Sequence, residues 1–276
     1  MSTWWINGQP ADHINVADRG FSYADGLFET IAIRDTRTRL LEFHLDRLFA
    51  GCQRLRIQPP MSRTSLAAHL QAAAKGLPYG VLKLMITRGT GPRGYAVPPQ
   101  ATPCIIWGIA TARFVSPLPV RLRWCETMVS VNRATAGLKT LGRLEQVLAR
   151  REWTDPAITE GLMTNTSGRL IGGTSSNVFL VMGDRLLTPA LHNSGISGVM
   201  RRAVLEVARQ HGIGAVEADV RPALIGDATE LFVTNALTGI RPVARLQDRA
   251  WPTGPITQRL QALLKNMGVA ECSADC

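Results

Sequence analysis

The spacing of apolar residues switches along the chain between the period of a strand and the period of a helix. Leu27 to Ile33 predicts a strand, with Ile31 and Ile33 at alternate positions. The next segment predicts an amphipathic helix, because one face collects apolar residues at i, i+4, i+7, i+8, i+11 and i+14: Leu41, Leu45, Leu48, Phe49, Cys52 and Leu55. Ser62 is expected to cap a second helix that carries Leu66 and Leu70 and ends at Gly76. This alternation predicts a mixed α/β fold.

The same two patterns continue to the end of the chain. Further strands are predicted at Val81 to Thr87, Cys104 to Ile109, Val120 to Trp124, Gly161 to Thr164, Asn177 to Met182 and Glu230 to Thr234. Further helices are predicted at Leu141 to Trp153 and at Ser197 to Gln210, the second of which ends at Gly212.

Prolines mark the best candidate for a linker. Pro117 and Pro119 lie within Thr111 to Val120, a stretch without a clear apolar period. We therefore expect a smaller α/β domain at residues 1–113, a linker at 114–119 and a larger domain at 120–276. A cleft between two such domains is where a small-molecule site is expected.

Length and composition exclude several classes of protein. The chain has 276 residues, of which 45% are apolar, so it can bury a core and is not predominantly disordered. No window approaches about 18 uninterrupted apolar residues, and Met1 to His13 does not read as a signal peptide, so no membrane span and a cytoplasmic location are expected. The five cysteines lack the close pairs of a zinc site, and free thiols and no metal are expected: Cys52, Cys104, Cys125, Cys272 and Cys276.

The charge balance is strongly basic, with 31 Lys and Arg against 21 Asp and Glu and a net charge of +10. The arginines are scattered and interleaved with acids, which favours a solvated surface over a nucleic-acid-binding stripe. An anionic small molecule remains a suitable partner. Only four of the basic residues are lysines, so chemistry that needs an amine has few candidates: Lys75, Lys83, Lys139 and Lys265.

Three segments could contribute to a site. Lys139, just before a predicted helix, could become a nucleophile if it were desolvated, although a surface lysine is the more common case. Asn193 to Gly198 leads into a helix whose free amides could bind phosphate, with Ser197 as the expected N-cap. The glycine-rich segment Thr87 to Tyr95 offers two arginines and a tyrosine for carboxylates, or forms a plain hairpin loop. His44, within the first helix, is expected to be a packed histidine rather than a catalytic one.

Several motifs together resemble fold-type IV pyridoxal-phosphate enzymes, the family of branched-chain and D-amino-acid transaminases and of 4-amino-4-deoxychorismate lyase. They are Asp18 to Thr30, His44 to Leu48, Arg88 to Tyr95, Ala136 to Lys139, Arg143 to Leu148, Thr234 to Leu237 and Pro242 to Val243. They occur in order from about Trp5 to Val243, and those around Lys139 and Arg88 are most similar to the lyase branch.

The resemblance implies a smaller α/β domain, a larger pseudo-barrel domain that carries the cofactor lysine, and a homodimer with its site in the cleft. Lys139 would hold pyridoxal 5′-phosphate covalently and then act as acid and base. The cofactor phosphate would be bound by Arg47, the amides of Ile196 and Ser197, and the backbone near Ala236. The substrate would be bound by Arg93, Tyr95 and Phe28.

The implied reaction of the lyase branch converts 4-amino-4-deoxychorismate to 4-aminobenzoate and pyruvate, a step of folate synthesis. One lysine suits it because the same amine is a nucleophile and a proton shuttle. Two alternatives stay open: a D-amino-acid or branched-chain aminotransferase on the same fold, and a catalytically degenerate, non-enzymatic binding protein.

One departure from the family pattern affects the chemistry. Gly172 stands where a glutamate normally pairs with the pyridine nitrogen of the cofactor, so the electron sink is expected to be weaker. Thr174 is the first candidate to contact that nitrogen instead. Thr140 and Gly142 also differ from the His and Asn of the lyase motif.

Overall fold

The computed structural model describes residues 3–112, 118–269 and 271. The chain divides into two compact units: the first contains Met1–Phe114 and Leu138–Gly142, and the second contains Val115–Gly137 and Arg143–Cys276. Residues 114–117 of the predicted linker lie outside the described residues, as do Cys272 and Cys276. In the described ranges, no helix is both long and apolar enough to cross a membrane.

The first unit is built on one six-stranded antiparallel sheet with the spatial order β2-β1-β6-β5-β3-β4. Its strands are β1 (Thr3–Ile6), β2 (Gln9–Pro10), β3 (Gly26–Arg34), β4 (Arg37–Thr38), β5 (Tyr79–Thr87) and β6 (Cys104–Thr111). Its helices are α1 (Arg19–Tyr23), α2 (Leu41–Leu55) and α3 (Arg63–Ala74). The β3–β5 pairing places Phe28 opposite Met85 and Thr30 opposite Lys83.

The core of this unit follows from alternation along the central strands. Leu82, Leu84 and Ile86 of β5 are fully buried and pack with the apolar face of α2, as strand geometry requires of residues two apart. Lys83 and Met85 therefore lie on the opposite face of the sheet. One face of β5 is sufficient for the core, so a charged residue on its other face, such as Lys83, is available for another role.

The second unit contains a nine-stranded mixed sheet with the order β12-β11-β10-β13-β14-β7-β8-β9, and β15 pairs with β14. Its strands are β7 (Val120–Trp124), β8 (Ile158–Thr164), β9 (Leu170–Gly173), β10 (Asn177–Met182), β11 (Arg185–Pro189), β12 (Gly214–Ala218), β13 (Glu230–Asn235), β14 (Gly239–Leu246) and β15 (Arg249–Ala250). Its helices are α4 (Leu144–Arg150), α5 (Val199–Gln210), α6 (Pro255–Asn266) and a 3₁₀ helix at Pro222–Asp227. Apolar residues of β10 and β13 are buried together, and the rings of Phe179 and Phe232 stack with centroids 5.0 Å apart.

The strongly periodic elements agree with the sequence-based prediction. Helix α2 spans Leu41–Leu55 as expected, and Ser62 caps α3 by accepting a hydrogen bond from the Ser65 amide at 3.2 Å. Helix α5 begins at Val199, and its N-cap is Gly198 rather than Ser197. Ser197 lies one residue earlier, and its amide donates to the Gly137 carbonyl at 3.0 Å.

The segment around Lys139 differs from the prediction in two ways. The helix predicted from Leu141 to Trp153 is the shorter α4, because Thr140 bridges to Leu27 and the Leu141 amide donates to the Gly26 carbonyl at 3.0 Å. The same contacts place Leu138–Gly142 in the first unit, whereas the sequence assigned the cofactor lysine to the larger domain.

Candidate active site

Lys139 lies in a short extended segment beside the start of β3. Its carbonyl accepts a hydrogen bond from the Phe28 amide at 2.9 Å, and the preceding residue, Leu138, is part of the buried core. The side chain is partly buried, and its Nζ lies 4.2 Å from the centroid of the Phe28 ring. The backbone on both sides is therefore fixed, and the amine is held against an aromatic face.

A second amine lies on the same ring. Nζ of Lys83 is 3.5 Å from the centroid of the Phe28 ring. Burial lowers the pKa of Lys83 to about 8, although the carboxylate of Glu29 acts in the opposite direction. Lys83 is one of the four lysines of the chain, and the sequence patterns predict no role for it. A single lysine between buried Leu82 and Leu84 is the signal that could have found it.

A buried carboxylate holds the arginine expected to bind phosphate. Glu29 of β3 is 1% exposed and accepts hydrogen bonds from Arg47 Nε at 2.7 Å and Arg47 Nη2 at 2.5 Å. His44 Nδ1 lies 2.6 Å from Oε2 of the same carboxylate, the oxygen that also accepts from Arg47 Nη2. Arg47 is one turn after His44 on α2, so a single carboxylate fixes both side chains.

The protonation states of this cluster follow from burial and charge. Burial alone would raise the pKa of Glu29, but Arg47 and His44 outweigh it and lower that pKa to about 2. Burial lowers the pKa of His44, against the opposing effect of Glu29. His44 is therefore neutral near pH 7 and donates from Nδ1 to the ionised Glu29. His44 is confirmed as a packed histidine.

The loop with Arg93 and Tyr95 is fixed by residues of the amino-terminal motif. Arg19 donates to the Gly94 carbonyl at 2.9 Å and to Asp25 at 3.1 Å, and the Gly94 amide donates to the Tyr23 hydroxyl at 3.0 Å. The ring of Tyr95 lies edge-on to Tyr23 with centroids 5.6 Å apart, but its residue is 87% exposed. Arg19, which is itself held by Asp25, thus fixes the position of this loop.

Another buried carboxylate organises the second unit. Glu160 of β8 accepts hydrogen bonds from the amides of Gly161, Thr174 and Ser175 and from the hydroxyls of Thr174, Ser175 and Ser176. It is 5% exposed, and its lone pairs are directed at the turn between β9 and β10. Glu160 is not among the predicted site residues, although a glutamate in an apolar strand is a recognisable signal.

Thr174 lies in this turn, and Gly172 lies in β9 just before it. The Thr174 hydroxyl donates its proton to Glu160, so in this arrangement it is not a donor for a pyridine nitrogen. The expectation for Thr174 therefore does not agree with its geometry. At Gly172, φ is +155° and a Cβ would lie 2.7 Å from the Ser176 carbonyl oxygen, so a glutamate there would require the backbone to shift.

The remaining predicted cofactor residues lie in two loops of the second unit. Ile196 and Ser197 precede α5, and the Asn177 side chain donates to the Ile196 carbonyl at 2.9 Å. Ala236 follows β13 in a turn in which Asn235 Oδ1 accepts from the amides of Leu237 and Thr238. Both loops are held by asparagine side chains, which is a common way to fix a backbone outside regular structure.

The structure groups the predicted site residues by unit. Within the first unit, Lys139, Phe28 and Arg47 share the environment of Glu29 and His44, while Arg93 and Tyr95 lie in the loop after β5. Ile196, Ser197, Ala236 and Thr174 belong to the second unit. A partly buried amine on an aromatic ring and a guanidinium fixed by a buried carboxylate fit an aldehyde that carries a phosphate.

Comparison with known proteins agrees with this chemistry. Residues 26–246 match the family described as amino-transferase class IV. The aminodeoxychorismate lyase of Vibrio harveyi is 33% identical over 273 residues, which are 95% of this chain and 99% of that protein. The structure of the Pseudomonas aeruginosa 4-amino-4-deoxychorismate lyase is 42% identical, with a TM-score of 0.91 over 95% of this chain and 98% of the other. An Escherichia coli branched-chain aminotransferase has the same fold, with 20% identity and a TM-score of 0.86 over 99% and 96% of the two chains.

The chain belongs to the class IV amino-transferase family. The expected fold class, a mixed α/β protein of the fold-type IV kind, is confirmed. It is an enzyme that depends on pyridoxal 5′-phosphate, and another member of this fold was solved with pyridoxamine 5′-phosphate. The alternative of a non-enzymatic binding protein is thereby disfavoured.

Proposed function

We propose that this protein is a lyase that converts 4-amino-4-deoxychorismate to 4-aminobenzoate and pyruvate. The observation that carries the proposal is the likeness to the Pseudomonas aeruginosa lyase, 42% identical over nearly the whole of both chains. The position of Lys139 supports it, because an amine held against the Phe28 ring can both bind a carbonyl carbon and move a proton.

In this proposal Lys139 is the catalytic residue. The amine of Lys139 would hold the cofactor until the substrate takes its place, and it would then remove the proton from the carbon that bears the substrate amine. Lys139 would return a proton to the departing enolpyruvyl oxygen as the C–O bond breaks, so that the enol becomes pyruvate by tautomerisation and the ring becomes aromatic. The bound cofactor supplies the electron sink for these steps. Phe28 keeps the lysine in place against its ring.

Arg47 is proposed to bind the cofactor phosphate. Glu29 accepts two of its hydrogen bonds and so fixes the plane of the guanidinium before any ligand arrives. We also assign the phosphate to the amide of Ile196 and the backbone near Ala236. Because the Ser197 amide already donates to the Gly137 carbonyl, Ser197 is assigned through its hydroxyl instead.

Arg93 and Tyr95 are proposed to bind substrate carboxylates, since the substrate has two and both residues lie in one arginine-bearing loop fixed by Arg19.

We further propose that the protein works in the cytoplasm as a homodimer. The large exposures of Phe21, at 72%, and Tyr95, at 87%, favour a covering partner copy. Sedimentation at micromolar concentration tests the dimer, and a monomer would contradict it.

The glycine at position 172 favours elimination over amino transfer. Gly172 carries no carboxylate, and the nearby carboxylate of Glu160 is engaged by the amides and hydroxyls of the turn between β9 and β10 rather than offered to a pyridine nitrogen. Amino transfer needs a stabilised carbanion at two stages, whereas the lyase reaction is driven by formation of an aromatic ring. A D-amino-acid or branched-chain aminotransferase is therefore the second candidate.

Pyruvate release separates these two candidates. The purified protein, loaded with cofactor and given 4-amino-4-deoxychorismate alone, is expected to form pyruvate and 4-aminobenzoate in equal amounts. An added 2-oxo acid such as 2-oxoglutarate should not change the rate. Turnover that requires the 2-oxo acid, and amino transfer from D-alanine or leucine, would instead establish an aminotransferase.

Thr174→Val is expected to lower the free energy of unfolding by about 1 to 3 kcal/mol, because it removes a hydrogen bond to a buried carboxylate. The absorption spectrum of the bound cofactor should not change, because this hydroxyl is directed at Glu160. Chemical denaturation and absorption spectroscopy measure the two effects, and Thr174→Ser is the matched control that keeps the hydroxyl. A shifted absorption spectrum with unchanged stability would contradict this prediction and would support a contact between Thr174 and the pyridine nitrogen of the cofactor.

A further inference from the structure

The two lysines on the Phe28 ring are close to each other. Lys83 Nζ and Lys139 Nζ lie 3.5 Å and 4.2 Å from the same ring centroid, so their separation is at most about 8 Å. Lys83 is held there by register, since it pairs with Thr30 of β3 on one side and Gly108 of β6 on the other. Both side chains are partly buried. In a partly buried place, the positive charge of one ammonium group opposes protonation of the other amine.

We propose that the ammonium group of Lys83 opposes protonation of Lys139 and thereby keeps a larger share of Lys139 as the free amine near neutral pH. Lys83 is thus a positioning residue that acts through Lys139, and its importance for turnover rests on the proposed function. A neighbouring cation is one of the recognised ways in which proteins make a lysine nucleophilic.

The other charged groups around the ring do not cancel this effect. Glu29 is the buried carboxylate on β3, and its charge is matched by the bidentate Arg47 of α2. His44 of α2, the remaining titratable group of the cluster, is held neutral by burial. For Lys83 itself, burial outweighs the attraction of Glu29, and its pKa is lowered to about 8. Lys83 therefore remains largely charged at pH 7, where its repulsion acts on Lys139.

The size of the effect follows from the separation. Two unit charges about 8 Å apart at an effective dielectric constant of about 20 shift each other's titration midpoint by about one and a half pKa units. Removal of the charge on Lys83 should therefore raise the titration midpoint of Lys139 by about one and a half units, so that at pH 7 its free-amine fraction falls up to about thirtyfold.

The test is competitive acetylation of the full-length, cofactor-free protein with acetic anhydride at a series of pH values, followed by mass spectrometry of the four lysine peptides. Lys83→Met nearly keeps the length of the side chain without its charge and should raise the midpoint of Lys139 by about one and a half units. Lys83→Arg keeps the charge and should leave the midpoint near that of the wild type. Lys75→Met, at the exposed end of α3, is the matched control and should change nothing.

An unchanged Lys139 midpoint in folded Lys83→Met would overturn the proposal. If that variant does not fold, Lys83→Gln decides in its place, because it also removes the charge and should raise the midpoint of Lys139 by a similar amount. These readouts need no cofactor. Failure of the proposed function would appear separately, as an absence of cofactor on Lys139 after borohydride reduction.

Discussion

Replacement of Lys139 by alanine is expected to abolish covalent attachment of the cofactor and to lower turnover by at least about 1,000-fold. The amine is the nucleophile and the proton carrier in the proposed reaction, so one substitution removes two roles. The substitution should cost little stability, because Lys139 is only partly buried and its backbone is fixed by hydrogen bonds from the Phe28 amide and by buried Leu138. The cofactor should still bind without a covalent link through its phosphate.

The measurement is borohydride reduction of the cofactor-loaded protein and mass mapping of all four lysines. Wild type should carry the adduct on Lys139 alone, and Lys265→Ala is the matched control that should retain it. Added methylamine should restore part of the turnover of Lys139→Ala, since it replaces the missing amine. An adduct on Lys83 in the wild type, or undiminished pyruvate release by Lys139→Ala, would contradict the assignment of Lys139.

Local periodicity predicts the elements that carry the site better than it predicts the site itself. Helix α2 is read correctly because six apolar residues repeat at helical spacing and bury one face. The helix predicted from Leu141 begins only at Leu144, because backbone hydrogen bonds to Gly26 and Phe28, more than 100 residues away in sequence, hold the segment from Lys139 to Leu141 extended. Local patterns do not contain information about such distant pairings.

The roles of the residues that the sequence did not reveal depend on contacts between elements that are distant in sequence. Lys83 contacts Phe28 because β5 pairs with β3 in one particular alignment, and a shift by one residue would turn it into the core. Glu29 and Glu160 are buried carboxylates whose donors come from other elements. The family resemblance supplied Lys139 and Arg47, but it did not supply the carboxylate that orients the arginine or the engagement of Thr174 with Glu160.

Glu29→Gln is expected to weaken binding of pyridoxal 5′-phosphate by about tenfold or more, because it removes the charge that fixes the Arg47 guanidinium. Binding of pyridoxal, which has no phosphate, should change much less. The ratio of the two affinities separates an effect on the phosphate site from a general loss of structure. Glu42→Gln is the matched control. Glu42 lies on α2, the helix that carries Arg47, but its side chain is 70% exposed and pairs with Arg63 at the surface.

The same variant has a defined pH dependence of stability. The pKa of Glu29 is about 2 in the folded protein against an ordinary value of 4.5, so its ionised form stabilises the fold above about pH 4.5 and this contribution is lost as pH falls toward 2. The contribution at neutral pH is about 3 kcal/mol. The difference in unfolding free energy between wild type and Glu29→Gln should therefore be largest near pH 7 and shrink as the solution is acidified from about pH 4.5. Denaturant titrations at pH 7, 4 and 3 measure it. A difference that stays constant across this range would show that Glu29 is not an ionised partner of Arg47, and the orientation of the phosphate-binding arginine would then need another origin.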